Sequence, residues 1–314
     1  MVGNKRPVPD EAQMSREAYG SEEAKAQRKK RKKKRRLWTV VFWVAIVVLV
    51  GCGGVLGALI WSYHQGDAVY EELAADHLQV MEASADELDF SVDWDALRAI
   101  NEDLVGWVYM PDTPISYPIV HRDGDDQYYL HRNFNRESSQ FGAEHGAIML
   151  SGDNTADFSD ELNFIYGHNL YNGGMFHVLE GFLDSQEFNA HRRMYIITPK
   201  GTYVLTTFAA IQWPANDASI VHPNFDTPEE EVEYLQRIMA ESQVTPDPAA
   251  PPVEDMHKIF AFATCWNQNT NYRRIVFAYT DKFVPADGSG NIDVTVVGQD
   301  AALDIAGDAQ AREE

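Results

Sequence analysis

The sequence predicts a mainly β domain, a closed barrel or a sandwich of eight short strands, standing behind one transmembrane helix. Three observations predict it. A single long apolar run lies near the N-terminus, and eight short β-like runs bounded by Gly, Pro, Asn and Asp follow from Val105 onward. The composition is that of a packed chain, 45% hydrophobic with ordinary Gly and Pro, and its two cysteines exclude a disulfide framework.

In chain order, residues 1–36 come first. They hold 13 of the 26 Lys+Arg against five acids, a net charge of +8. This polar segment is expected to be disordered and cytoplasmic. It ends in RKKRKKKRR, nine consecutive cations from Arg28 to Arg36. Residues 37–63, Leu37 to Tyr63, are 27 residues without a charge. As a helix they span about 40 Å, enough for a hydrocarbon core of about 30 Å. Trp38, Trp43 and Trp61 lie towards the ends, where aromatic belts form. The positive-inside rule places the basic block in the cytoplasm. The expected location is therefore the cell membrane, single-pass, with an extracellular domain. A cleaved signal peptide has an apolar region of only about 7–15 residues, so the segment reads as an uncleaved anchor. Gly53 and Gly57 match a helix-dimerisation pattern, but glycine is common in membrane helices.

Residues 64–101 carry Val69, Leu73, Leu78, Met81, Leu88, Trp94, Leu97 and Ile100 at near-helical spacing. That predicts a juxtamembrane extension of two or three amphipathic helices. Residues 102–284 form the β domain through the runs GWVYM, ISYPIV, GAIML, NFIYG, MYIIT, YVLTTFAAIQW, KIFAFATC and RIVFAYT. GGMFHVLEGFLD reads as a short helix between two of them. Thr227-Pro228-Glu229-Glu230 is a capping box that opens a second helix, and PDPAAPP ends the excursion. Residues 285–314 are expected to be an acidic, disordered tail. Residues 37–314 carry a net charge of −30, which repels phosphate backbones and excludes nucleic acid as a partner of the folded part.

Cys265 is the one thiol outside the apolar run, at the end of a predicted strand. It reads either as a small buried hydrophobe or as a nucleophile. Hairpin pairing with the next strand would bring an arginine beside it, which lowers a thiol pKa and can hold an oxyanion. Arg274 shares the phase of Val276 and Ala278, and Arg273 that of Ile275 and Phe277. Phase alone leaves both open. A cysteine nucleophile needs a proton partner, and His168, on a Gly/Asn-rich loop after an apolar strand, is the candidate, with His177 its nearest rival. No C-x-x-C, H-E-x-x-H, EF-hand, Walker or dinucleotide-binding pattern occurs, so neither a metal nor a cofactor is expected. Asp123, Asp125 and Asp126 read as a solvated acidic turn.

At these residues the sequence resembles a class B sortase, a membrane-anchored cysteine transpeptidase of Gram-positive cell surfaces. The likeness runs from about Trp94 to Phe283. It includes WDALRAINEDLVGWVYMPDTPISYPIV, NFIYGHNLYNGGMFHVLEGFLD, EEEVEYLQRI and FATC followed by RRIVFAY. The resemblance implies a sortase-type eight-stranded β-barrel with an N-terminal helical extension and a helix between strands six and seven. It puts the family histidine at His168, the nucleophile at Cys265 and the arginine at Arg274. It implies cleavage of a sorting-signal peptide after Thr through a thioacyl-enzyme. The acceptor it implies is a lipid-linked peptidoglycan precursor or a pilin lysine. The loop after the cysteine, WNQNTNY, lacks the acidic residue of many relatives and leaves Asn267 and Asn269 without a role. Rival readings are another cysteine hydrolase, an L,D-transpeptidase (whose cysteine string is absent here) and a non-catalytic binding module.

The anchor reading makes a direct prediction. In wall-stripped cells an external protease should release the domain while residues 1–36 stay protected. A mature chain found free in the medium and starting after Tyr63 would refute it.

Overall fold

The computed structural model describes the backbone of residues 11–84, 87–138, 146–265 and 271–286. Side chains are described over the same ranges apart from residues 11–23, 62–65, 82–84, 87 and 265. The chain divides into two units, Met1–Ile60 and Trp61–Glu314.

The first unit is helical and belongs to α1 (Glu11–His77). Its apolar run is long enough to cross a membrane, and Leu37, Trp38, Phe42, Trp43, Val47 and Leu49 are all exposed along it. Residues 11–36, expected to be disordered, are helical instead. Lys, Arg, Glu, Gln and Ala are all good helix formers. A helix already nucleated in the apolar run extends through them without a second nucleation cost.

The second unit holds the barrel. Before it, the extension is helical at both ends, in the last turns of α1 up to His77 and in α2 (Trp94–Ile100), but between them the expected helix gives way to a β-hairpin, β1 (Leu78–Ser84) and β2 (Glu87–Val92). Val80, Phe90 and Val92 are β-formers, and cross-strand pairing (Val80 with Phe90, Val92 with Leu78) overrides the near-helical spacing. Asp93 caps α2 by accepting from Ala96 N–H at 3.0 Å.

Eight strands then close into a barrel, which resolves the barrel-or-sandwich alternative. They are β3 (Leu104–Tyr109), β4 (Ser116–His121), β5 (Ile148–Leu150), β6 (Leu162–Gly167), β7 (Arg193–Thr198), β8 (Gly201–Pro214), β9 (Ile259–Cys265) and β10 (Tyr272–Pro285). Their order around the barrel is β10-β8-β7-β3-β4-β5-β6-β9, with β9 returning to β10. Most neighbours are antiparallel, but β4–β5 and β6–β9 are parallel. Each of the eight predicted β-like runs is one of these strands. The short helix after His168 is a 3₁₀ segment (His177–Leu183) followed by α3 (Ser185–Ala190). The capped helix is α4 (Pro228–Glu241), between the sixth and seventh barrel strands. Thr227 Oγ1 accepts from Glu230 N–H at 3.2 Å, and Glu230 reaches back to Asp226 N–H at 3.0 Å. The tail beyond residue 286 lies outside the described residues.

Strand alternation divides the apolar residues between two cores. Phe260, Phe262, Val276 and Ala278 join the larger one with Trp107, Ile119 and Ile196. Ala261, Ala263, Ile275 and Phe277 join a smaller one with Tyr234, Leu235 and Ile238 of α4. An eight-stranded barrel has room inside for side chains only, so the α4 core is the outer one.

Glu231 on α4 sits half-buried near Glu161, and desolvation with that like charge pushes its pKa up to about 7 from an ordinary 4.5. Its folded value lies above its unfolded one, so its contribution to stability is present at low pH and is lost as pH rises through about 7. Glu231→Gln should therefore melt higher than the parent at pH 8 and match it at pH 4.

Candidate active site

The parallel pairing of β6 with β9 fixes the site. Tyr166 lies opposite Ala263 and Gly167 opposite Thr264. One residue further along each strand come His168 and Cys265. On the other edge of β9, Cys265 is the register partner of Arg273, and Thr264 of Arg274. Residues far apart in sequence thus reach one end of the barrel.

The cleft there is lined by Asp126, Leu130, Tyr166, His168, Thr264 and Arg273 among the described residues. His168 Nε2 is 2.6 Å from the Leu130 carbonyl oxygen, which can only accept, so Nε2 carries a proton in this arrangement. Gly146 lies directly against the ring: a Cβ built there would fall 2.6 Å from Nε2. The loop behind the histidine is closed by Phe176 N–H donating to the His168 carbonyl at 2.9 Å. The Arg273 guanidinium lies over the Tyr166 ring at 5.4 Å, a cation–π contact that holds it over the cleft. Burial pushes the Tyr166 phenol up, while the Arg273 charge pulls it down.

Arg274, the arginine preferred from the sequence, does not line this cleft. It has the phase of Val276 and Ala278, which belong to the larger core. Burial lowers the Arg274 pKa, with Glu180 acting the other way. Glu180 also accepts from Asn169 Nδ2 at 2.6 Å, and Asn169 Oδ1 takes a hydrogen bond from His177 Nδ1 at 2.6 Å. His177, the rival histidine, is thus engaged with Asn169. Asn267 and Asn269 lie outside the described residues. The RDGDDQ turn is tied to the backbone: Asp125 accepts from Gln127 N–H and Asp126 from Gly152 N–H. Among the described residues no group of three or more His, Cys, Asp or Glu could hold a metal ion. The sequence reading missed Tyr166 and Asp126 as cleft residues. The alternation Phe164, Tyr166, His168 along β6 could have revealed the first.

Gly167 has no space for a side chain, because a Cβ there would fall 2.5 Å from Ile148 Cδ1 and 2.6 Å from Phe176 Cδ2. Overpacking of this kind costs about 1–3 kcal/mol. Gly167→Ala should lose that much stability in chemical denaturation.

No family model matches the chain. It is 31% identical over 169 residues to sortase B of Listeria monocytogenes, covering 54% of this chain and 65% of that protein. With sortase B of Staphylococcus aureus it shares 24% identity over 230 residues, 73% of this chain and 90% of that one. The solved sortase B of Clostridium perfringens superposes with a TM-score of 0.53 at 28% identity, covering 63% of this chain and 99% of that one. The aligned part thus spans just under two thirds of the Listeria protein and nearly all of the Clostridium structure. In sequence and in fold the chain is a relative of the class B sortases.

Proposed function

We propose that this class B sortase relative is a cysteine transpeptidase that cleaves a C-terminal sorting signal after threonine and passes the acyl group to an amine. The observation that supports this reading most is the register at the barrel end. His168 and Cys265 follow the last paired residues of two parallel strands, and Arg273 pairs with Cys265.

In this reading the Cys265 thiolate attacks the threonine carbonyl carbon, forming the C–S bond as the π pair moves to oxygen. Arg273 donates to that oxygen, since donors fixed where charge develops do the most for an acyl-transfer transition state. Collapse breaks the C–N bond, and His168 gives a proton to the departing amine. With Nε2–H held by the Leu130 carbonyl, the proton to give is the one on Nδ1 of the imidazolium. The acceptor, a lipid-linked peptidoglycan precursor amine or a pilin lysine, then attacks the thioester carbonyl carbon, gives its proton to the now neutral His168, and the sulfur leaves as thiolate as the amide forms. We assign the oxyanion role to Arg273 rather than to Arg274, because Arg273 lines the cleft with His168.

The membrane enters through concentration. A helix placed across the bilayer, with the basic residues 28–36 in the cytoplasm, would confine enzyme, tethered substrate and lipid-linked acceptor to one surface. Confinement raises effective concentration without any new contact.

The test is acyl-enzyme mass spectrometry on the full chain with a small library of sorting-signal peptides. Cys265→Ala should form no adduct and cleave no peptide, with its melting temperature retained. Arg273→Lys keeps the charge but loses the planar fork, so the rate should fall about 10²-fold, the scale of one lost oxyanion donor. Arg274→Lys should cost clearly less. Damage confined to the Arg274 variant would return the role to that residue.

A further inference from the structure

We propose that Tyr70, on the part of α1 that belongs to the second unit, is a positioning residue for His168. The proposal rests on the reading that His168 moves the proton in the reaction. Tyr70 is 4% exposed, and its hydroxyl does two things at once. It donates to the Gly146 carbonyl at 2.6 Å and accepts from Phe134 N–H at 3.1 Å. Burial raises its phenol pKa well above the ordinary value, so the hydroxyl keeps the proton that the first bond needs.

Gly146 is the residue packed against the imidazole, with φ at +55°, where a side chain would strike the ring. Ala147 N–H, next in the chain, donates to the Tyr129 carbonyl at 3.0 Å. That bond ties the Gly146 segment to the turn whose next residue, Leu130, holds His168 Nε2. One phenol therefore fixes the backbone on which the histidine ring lies, and through it the carbonyl that sets its protonation.

The same face of the helix reaches the other side of the histidine. Asp67, three residues before Tyr70, accepts from Asn172 Nδ2 at 2.6 Å, in the loop that follows His168. Tyr117, whose ring meets Tyr70 edge-on at 5.3 Å, accepts from Met175 N–H at 2.9 Å in that loop. Asp67, Tyr70 and Tyr117 line one cleft with Leu170 and Met175. The helix thus grips both the floor under the imidazole and the loop behind it.

Tyr70→Phe in the full chain, held in detergent micelles, tests this. The substitution keeps the ring packed on Tyr117 and removes only the two hydrogen bonds. Thioacyl formation at saturating peptide should slow about tenfold with KM within about twofold, the pattern of a misplaced catalytic group rather than of lost binding. In a ¹³C-histidine-labelled sample, the His168 ring resonance, assigned with His168→Gln, should shift, and its titration midpoint should move by about half a pH unit. Leu73→Ala is the control: it removes a buried side chain one turn along the same helix and should lower the melting temperature without moving that resonance. An unmoved His168 resonance and an unchanged rate in Tyr70→Phe would overturn the proposal, as would an equal shift in Leu73→Ala. If the parent forms no thioacyl-enzyme, the function reading fails. The resonance and its titration still decide whether Tyr70 positions the ring.

Discussion

The parallel seam between β6 and β9 is the constraint on which the rest of the molecule depends. Antiparallel strands can be joined by a two-residue turn, whereas parallel ones need a long crossover. Here the crossover is the whole stretch from His168 to Lys258, containing β7, β8 and α4. Much of the barrel is the connection that lets residues 168 and 265 emerge from neighbouring strands at the same end. Sheet register is unforgiving: a slip of one residue turns every side chain to the opposite face. Both strands of the seam have one face in the barrel core and the other in the α4 core, so a slip would bury the wrong set twice.

That double burial also separates the two adjacent arginines. Alternation put Arg274 in the phase of Val276 and Ala278, and the structure agrees, but that phase faces the larger core. Sequence supplies the phase of each strand by itself. It does not say which face of β10 meets the end of β6, because that follows from the pairing of β9 with β6, whose partners are 97 positions apart. Arg273 holds its guanidinium over an aromatic ring at the rim of the cleft. Arg274 sits where desolvation acts against its charge, and Glu180 acts the other way. Two like charges on adjacent residues are tolerable here because they point to different sides of one sheet.

The eight strand runs, the capped helix and the apolar span were legible because each is written in local pattern: alternation, a Thr-Pro-Glu-Glu start, an uncharged stretch of membrane length. The hairpin over residues 78–92 was not, since Leu78, Met81 and Leu88 happen to fall at helical spacing while Val80, Phe90 and Val92 pair across it. The helix over 11–36 was hidden by charge, which reads as disorder in a segment taken alone but extends a helix nucleated next door. At the site, His168 and Cys265 could be named from their strand ends and from resemblance. Tyr166, Asp126 and Tyr70 could not, because what qualifies them is contact across the fold. Tyr70 and Gly146 are 76 positions apart.

The two glycines beside the histidine show how the local and the distant are joined. Gly167 is close-packed by Ile148 and Phe176, so the end of β6 is seated in the barrel core itself. Gly146 is close-packed by the imidazole and the Leu130 carbonyl, so its fit depends on loops rather than on the sheet. A strand end is rigid because its hydrogen bonds and packing belong to the barrel. A loop is only as rigid as its ties. The ring of His168 is attached to the first and rests on the second. Its pose is therefore set to the accuracy of the weaker support, the segment around Leu130 and Gly146. The bonds from Tyr70 to Phe134 and Gly146, and from Asn101 to Tyr129 and Phe134, all fall on that segment. The lead-in to the barrel does for the loop what the sheet does for the strand.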